Sequence, residues 1–127
     1  MKVRIRGNSV RIRLDRLEIA ALELGDVVED RTEFGPGPHN TLRCTITARK
    51  QAAPLAAEIA ANHISMFIRQ EDAANLVNTE TVGVEAAQEI GDGRSLRLLL
   101  EKDFACLQDR FGEDDTNSFE NPSACAR

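Results

Sequence analysis

Residues 2–14 read KVRIRGNSVRIRL, and this stretch decides the fold. Apolar and basic residues alternate on both sides of the turn segment Gly7-Asn8-Ser9. A period of two predicts two strands that bury apolar side chains on one face and expose charge on the other. Glycine and asparagine tolerate positive φ angles, so the intervening segment predicts a tight hairpin turn. The chain is therefore expected to begin with a β-hairpin whose outer face is basic.

The composition bounds the class of protein. The 127 residues suffice for one hydrophobic core and are too few for two ordinary domains. With 42% hydrophobic, 29% charged and 4% aromatic residues, the chain has the composition of a globular protein with an aliphatic core. No apolar run approaches the roughly 18 residues of a membrane span, and no secretory signal follows the N-terminal basic residues. Three cysteines do not indicate a disulfide framework, so we expect a cytoplasmic protein without a membrane partner.

The charge is distributed unevenly along the chain. Residues 1–16 contain six basic residues and one acidic residue, a net charge of +5, whereas residues 17–127 contain 10 basic and 20 acidic residues, a net charge of −10. A basic hairpin on an acidic body favours a contact surface for an acidic partner. The alternative is that these cations pair within the protein, with acidic residues expected on neighbouring strands: Glu29, Glu33, Glu101 and Asp103.

The order of predicted elements repeats along the chain. After the hairpin, the capping pattern of Asp15 and Glu18 and the stop signal of Gly25 indicate a short helix, and two strands follow. The same order begins again after Pro54. A shift of 54 positions aligns apolar residues in the same strand phase, pairing Val10 with Ile64, Ile12 with Met66 and Leu42 with Leu96.

Two copies of a ββαββ unit account for this repetition, repeat 1 over residues 1–50 and repeat 2 over residues 55–104. A unit of about 50 residues buries too little surface to fold alone, so the halves are expected to share one core. We predict an α+β fold in which tandem repeats, related by a pseudo-twofold axis, form one mostly antiparallel, eight-stranded barrel or pair of sheets with two short helices. Residues 1–105 are the predicted single domain, and residues 106–127 are a C-terminal tail that docks on the barrel or extends from it.

The segment Gly7-Asn8-Ser9, the arginine-bearing strand after it, and the segment Leu24-Gly25-Asp26 before the third strand resemble the AbrB/MazE class of swapped-hairpin barrels. The resemblance implies a homodimeric DNA-binding module of the kind found in transition-state regulators and antitoxins, here fused into one chain. Leu14-Asp15 stands where the class usually has a proline after the second strand. The class further implies DNA contacts at Arg6, Asn8, Ser9, Arg11 and Arg13. The whole chain also resembles a bacterial family of unknown function through residues 81–85 and 101–107, which implies no activity.

The outer face of the first hairpin is the predicted binding surface for DNA or an acidic protein partner: Lys2, Arg4, Arg6, Asn8, Ser9, Arg11 and Arg13. A two-stranded ribbon fits the major groove, where arginines reach phosphates or guanine edges. The second hairpin and the acidic body oppose DNA binding, because the equivalent outward positions cannot neutralise phosphates. Those positions are Ala56, Glu58, Ala60, Ser65 and Phe67. The primary prediction is therefore a non-enzymatic binding or interaction protein. The alternative is a DNA-binding transcriptional regulator or an antitoxin-like protein.

Three outward apolar residues of the second hairpin, Ala56, Ala60 and Phe67, predict a patch that something covers. The C-terminal segment is the favoured cover, because its aromatic residues need an apolar surface. A protein partner or a homodimer is the alternative.

The cysteines and histidines give no clear chemistry. Cys44 lies in strand phase with apolar neighbours and is predicted in the core. For Cys106 and Cys125, free thiols, a disulfide and a metal site all remain open, although no ligand spacing typical of a metal is present. No cofactor motif and no nucleophile–base pair is recognisable, so neither a cofactor nor an enzymatic activity is predicted.

Overall fold

The computed structural model describes residues 1–104, which form eight strands and two α-helices. Their order is the predicted one, strand–strand–helix–strand–strand occurring twice. A single turn of 3₁₀-helix, Pro38–Asn40, precedes the fourth strand. The elements are β1 (Lys2–Ile5), β2 (Ser9–Leu14), α1 (Arg16–Glu23), β3 (Val28–Glu33), β4 (Thr41–Arg49), β5 (Leu55–Ala60), β6 (His63–Arg69), α2 (Gln70–Asn78), β7 (Gly83–Gly91) and β8 (Arg94–Lys102). No helix among them is long and apolar enough to cross a bilayer.

Helix α1 begins and ends where the sequence indicates. The Asp15 carboxylate accepts the Glu18 N–H at 2.9 Å, and the Glu18 carboxylate accepts the Asp15 N–H at 2.9 Å, which completes the predicted capping box. At the other end Gly25 has a φ of +88°, a conformation that glycine adopts without strain. The Asp26 N–H then donates to the Ala21 carbonyl at 2.9 Å. The residues that follow the helix thus satisfy a carbonyl group of its last turn.

The strands form two four-stranded sheets, β1-β2-β8-β7 and β3-β4-β6-β5, here called the first and second sheet. Each sheet joins two antiparallel hairpins through a central parallel pair, β2 with β8 and β4 with β6. The first sheet therefore combines the first hairpin of the N-terminal half with the last hairpin of the C-terminal half. Among the described residues neither sheet closes on itself, so the eight strands form two open sheets and not the closed barrel that was one of the expected arrangements.

The pairing registers of the two sheets correspond under the 54-residue shift. In the first sheet Ile12 pairs with Leu100, and in the second sheet Met66 pairs with Ile46. Adding 54 to Ile12 and subtracting 54 from Leu100 gives the second pair. Inner and outer faces are therefore equivalent in the two sheets, because side chains alternate across a strand with a period of two.

The core lies between the inner faces of the sheets and the two helices, and it is aliphatic, as predicted. Both halves contribute to it: Val10, Ile12, Leu14, Ile19, Leu22, Val28, Ile46, Leu55, Met66, Ile68, Ala73, Leu76, Leu98 and Leu100. Burial of such side chains from water supplies most of the folding free energy. Since each half contributes only part of this cluster, neither half can bury its own apolar face alone.

Candidate binding surface

The outer face of the first sheet gathers the basic residues of the N-terminal hairpin. Register places Lys2 opposite Arg13 and Arg4 opposite Arg11. Arg6 follows β1 directly, continues the strand phase of Arg4, and donates its N–H to the Ser9 carbonyl at 3.2 Å. The parallel neighbour β8 adds a further cation to this surface, which is here called the basic face: Lys2, Arg4, Arg6, Arg11, Arg13 and Arg97.

Arg97 is a residue that sequence reasoning did not include. It lies directly opposite Ser9 in the parallel β2–β8 pair. Its own strand phase marks it as outward, because Leu96 and Leu98 on either side face inward. The outward orientation of Arg97 was therefore readable from its own strand. Its position beside Ser9 was not, because the two residues are far apart in sequence and only the pairing of β2 with β8 brings them together.

Two acidic residues neutralise part of the basic face. Glu101 on β8 accepts from Arg11 and from Arg13, the latter at 3.0 Å between Nε and Oε1. Lys2 Nζ lies 2.9 Å from Asp103 Oδ2. Pairing within the protein thus accounts for three cations, through two of the four acidic residues that the sequence suggested.

The other two suggested acidic residues do not pair with the hairpin. Glu29 accepts from Arg43 at 2.7 Å and from Arg31 at 3.1 Å, on the outer face of the second sheet. These two hydrogen bonds lower the pKa of the Glu29 carboxyl below its ordinary value. Glu33 forms no ion pair within residues 1–104.

Three cations of the basic face remain without an acidic partner in the described part of the chain: Arg4, Arg6 and Arg97. All three side chains are exposed. Arg4 lies beside Arg11 and Arg97 lies beside Ser9, so the uncompensated charge is on both sides of the pairs that Glu101 forms. This geometry suits the binding of a large acidic surface better than that of a small anion, because the three guanidinium groups are spread over an exposed face of the sheet.

The turn residues of the hairpin are held by β8. Asn8 donates from its side chain to the Ser95 carbonyl at 2.7 Å, and the Asn8 carbonyl accepts from Arg97 N–H at 3.0 Å. The Ser9 hydroxyl donates to the Arg6 carbonyl at 2.7 Å. Both predicted DNA contacts at the turn therefore use side-chain donors to fix the hairpin conformation.

The second hairpin, β5–β6, presents a different outer face. The guanidinium of Arg49 lies over the Phe67 ring, 3.6 Å from its centroid, in a cation–π contact. Within the described residues this arginine covers the aromatic ring that the sequence suggested the C-terminal segment would cover. His63 Nε2 lies 2.7 Å from Thr45 Oγ1 and 3.3 Å from Ser65 Oγ, so the neighbouring polar side chains satisfy one another.

The two sheets approach each other along two seams, which differ. At the closed seam, between β5 and β7, the side-chain amide of Gln88 accepts the Ala57 N–H and donates to the Ala57 carbonyl, both at 2.8 Å. At the open seam, between β1 and β3, the equivalent of Gln88 is Phe34, whose side chain is 77% exposed. A cleft of about 470 Å³ lies there, lined by Met1, Val3, Ile5, Asp30, Leu42 and Cys44, among others.

Of the three cysteines, only Cys44 lies within the described residues. Cys44 is buried, as predicted, and burial, followed by the nearby Asp30 charge, raises the pKa of its thiol. Cys106 and Cys125 lie outside the described residues. Within residues 1–104 no cluster of histidine, cysteine and acidic side chains has the arrangement of a metal site.

These features define the class of protein: an α+β domain of two open sheets, with one basic hairpin and one neutral hairpin in equivalent places. The chain belongs to the family of unknown function DUF7009, which it matches over residues 1–123. Neither a curated protein nor a solved structure matches the chain. The resemblance to the AbrB/MazE class therefore stays a prediction.

Proposed function

We propose that this chain is a non-enzymatic binding protein and that its basic face is the contact surface for an acidic protein partner. One observation carries the proposal: Arg4, Arg6 and Arg97 are exposed without an acidic partner in residues 1–104, on a face where Glu101 and Asp103 already compensate the other cations. Uncompensated charge of one sign on one face speeds encounter with a surface of opposite charge.

The scaffold proposed for this function is a tandem ββαββ duplication with a pseudo-twofold axis, similar to an AbrB/MazE dimer fused into one cytoplasmic chain. The common 54-residue shift of strands, helices and pairing registers supports it. In such a fused dimer the two hairpins no longer need to be identical. A single basic hairpin then makes the binding surface one-sided.

An acidic protein partner is favoured over DNA for three reasons. DNA carries a dense, continuous line of phosphates, so a chain with a net charge of −5 is repelled more strongly by DNA than by an acidic patch on a protein. The second hairpin offers Glu58 and Ala60 where the first has Arg4 and Arg6. The side-chain donors of Asn8 and Ser9 bind backbone carbonyls of the turn and of β8.

The test uses the two free arginines of the hairpin in the full chain. The double variant Arg4→Glu, Arg6→Glu should lose partners captured from the source cells at about 50 mM salt, where electrostatic attraction is strong. Ala60→Glu is the matched control, since it adds an acidic residue at the equivalent of Arg6 and should keep them. Equal capture by both variants would refute the proposal.

The structure changes the choice of variant. Arg11 and Arg13 look from the sequence like the natural pair to reverse, but both bind Glu101. Reversing them would bring three carboxylates together and change stability together with binding. Arg4 and Arg6 avoid this, because neither forms an ion pair in the described residues.

A DNA-binding regulator or antitoxin-like protein is the second candidate, favoured by the exposed two-stranded ribbon and its arginines. A labelled duplex titrated with the full chain at about 50 mM and about 200 mM salt decides this candidate. Binding that weakens steeply with salt and disappears in the Arg4→Glu, Arg6→Glu variant would favour DNA. No binding at the lower salt concentration would exclude it.

A further inference from the structure

The open seam leaves part of the inner face of the first sheet uncovered. Val3 and Ile5 point to the same side as the buried Ile12 and Val10, their partners in register, yet they are 38% and 60% exposed. The edges of β1 and β3 face each other there without sharing a ladder, because each is the terminal strand of its sheet. An edge strand with exposed apolar side chains is a template for an added strand.

We propose that residues 105–127 of this chain occupy the open seam, adding an extended segment to the edge of β1. Its apolar side chains enter the cleft, and its acidic side chains lie against Arg4 and Arg6. The inference rests on the proposed function in one respect: the basic face attracts acidic groups. It goes further by naming an occupant within the same chain.

The described chain ends at the same end of the first sheet as the start of β1, with β2 between β8 and β1. The Asp103 N–H donates to the Leu14 carbonyl at 2.9 Å, and the Asp103 carboxylate binds Lys2 at 2.9 Å. Phe104 itself lines the groove between the helices, so the residues that follow it have to cross the end of β2 to reach the edge of β1. The 23 residues that follow can span far more than the four residues of β1, about 13 Å, since an extended chain covers about 3.3 Å per residue.

Charge complementarity favours residues 105–127 as the occupant of the open seam and β1 as the edge to which they bind. Residues 105–127 contain five acidic residues and two arginines, a net charge of −3. On the β1 side of the seam Arg4 and Arg6 form no ion pair within residues 1–104, whereas β3 carries Asp30 and Glu33 in addition to the Glu29–Arg31 pair. An acidic segment is attracted to β1 and repelled by β3. A second copy of this chain is disfavoured, because pairing β1 with itself would bring like charges into cross-strand contact.

The apolar residues of the segment match the cleft. Leu107, Phe111 and Phe119 are its large apolar side chains. The cleft offers Leu42, Ile64 and the inward face of β1. In strand addition, main-chain hydrogen bonds supply affinity and alternate side chains supply selectivity. Tethering raises the effective concentration of the segment, so an individually weak contact is sufficiently populated.

The consequence is competition at the basic face. An acidic segment against Arg4 and Arg6 occupies the cations that the proposed partner needs. The partner must then displace the segment, and its observed affinity is reduced by the fraction of time for which the seam is filled.

The experiment places single reporter cysteines in the full chain, in a Cys106→Ser, Cys125→Ser background. Ile5→Cys reports on the open seam. Ile59→Cys is the matched control, 54 positions later and 71% exposed. Ala20→Cys reports on the groove between the helices, which Phe104 also lines. A protease site inserted after Phe104 allows the segment to be cut only after the chain has folded. Because Cys44 lines the same cleft, the parent without a reporter cysteine is labelled in parallel and its rate is subtracted.

The expected result is an acceleration of thiol labelling at Ile5→Cys alone. If the segment fills the seam for about nine-tenths of the time, cutting and removing it raises the labelling rate about tenfold, because only the open population reacts. Labelling at Ile59→Cys and at Ala20→Cys stays within about twofold on the same grounds. Addition of a synthetic peptide of residues 105–127 restores protection, and Arg4→Glu, Arg6→Glu abolishes it. If Ile5→Cys does not fold, Val3→Cys replaces it.

Three outcomes would overturn the inference. The first is an unchanged rate at Ile5→Cys after cutting. The second is an acceleration at Ala20→Cys instead, which would place the segment between the helices. The third is protection that depends on protein concentration in the uncut chain, which would indicate a second copy. If Arg4→Glu, Arg6→Glu loses capture while the labelling rate of the uncut chain stays unchanged, only this inference is refuted. If the variant loses protection and retains capture, only the proposed function is refuted.

Discussion

The hairpins β1–β2 and β5–β6 occupy equivalent places in the two sheets, yet only their inner faces are alike. Inside, Ile12 and Met66 are both fully buried against the same core. Outside, Arg4 corresponds to Glu58 and Arg13 corresponds to Phe67. The difference indicates which constraint acts where: a shared core restricts the inward residues of both hairpins, while each outer face is free to acquire its own chemistry.

The largest effect is expected from breaking this inner equivalence. Ile12→Ala and Met66→Ala should each reduce the free energy of unfolding by about 3 kcal/mol, because each leaves a cavity in a closely packed core. Chemical denaturation of the two variants checks this, with the exposed Ile59→Ala as a control that changes stability by less than about 0.5 kcal/mol. A cost at Met66 far below that at Ile12 would contradict an equally shared core.

The seams provide the next comparison. Gln88→Ala should lower the free energy of unfolding by about 2 kcal/mol, since it removes two hydrogen bonds and leaves the N–H and carbonyl of Ala57 without their partner. Phe34→Ala, at the equivalent position of the open seam, should change it by less than about 0.5 kcal/mol. Similar losses in the two variants would show that the seams are not energetically different.

A smaller effect on stability is expected to distinguish arginines that bind Glu101 from arginines without an acidic partner in residues 1–104. Arg11→Glu should destabilise the fold by about 1 kcal/mol, because it replaces an attraction to Glu101 by repulsion on a partly exposed surface. Glu101→Lys in the same chain should restore much of this loss. Arg4→Glu, which breaks no ion pair in the described residues, should leave the thermal midpoint nearly unchanged.

The smallest effect is a pH dependence on the outer face of the second sheet. The Arg43 and Arg31 hydrogen bonds lower the folded-state pKa of Glu29, so its contribution to stability is full above the ordinary glutamate pKa of about 4.5 and is lost as the pH falls through the lower folded value. Thermal unfolding between about pH 6 and about pH 3 measures it. Glu29→Gln should flatten this part of the profile, and Glu33→Gln, whose carboxyl forms no ion pair in residues 1–104, should not.

The order and type of the elements followed from local signals. The alternation in residues 2–14, the capping pair Asp15 and Glu18, and the stop at Gly25 each act within a few residues of chain. Such signals are readable because strand phase and helix capping depend on neighbouring residues alone. The 54-residue shift extended the same information to the second half.

Contacts between residues distant in the chain could not be predicted in this way. The arginine pair on Glu101, the Arg97 neighbour of Ser9 and the Gln88 amide on Ala57 all join residues at least 31 positions apart. Each contact depends on which hairpin pairs with which. The sequence did not decide between a closed barrel and two separate sheets.

The sequence by itself determined that this chain folds as alternating strands with an aliphatic interior and a basic first hairpin, because alternation and charge are properties of the residues in order. Only the tertiary structure decided which of those cations are compensated and which seam is open. Ion pairs and edge contacts form between strands that the chain brings together from opposite ends, and their geometry exists only once the parallel pairs β2–β8 and β4–β6 have formed.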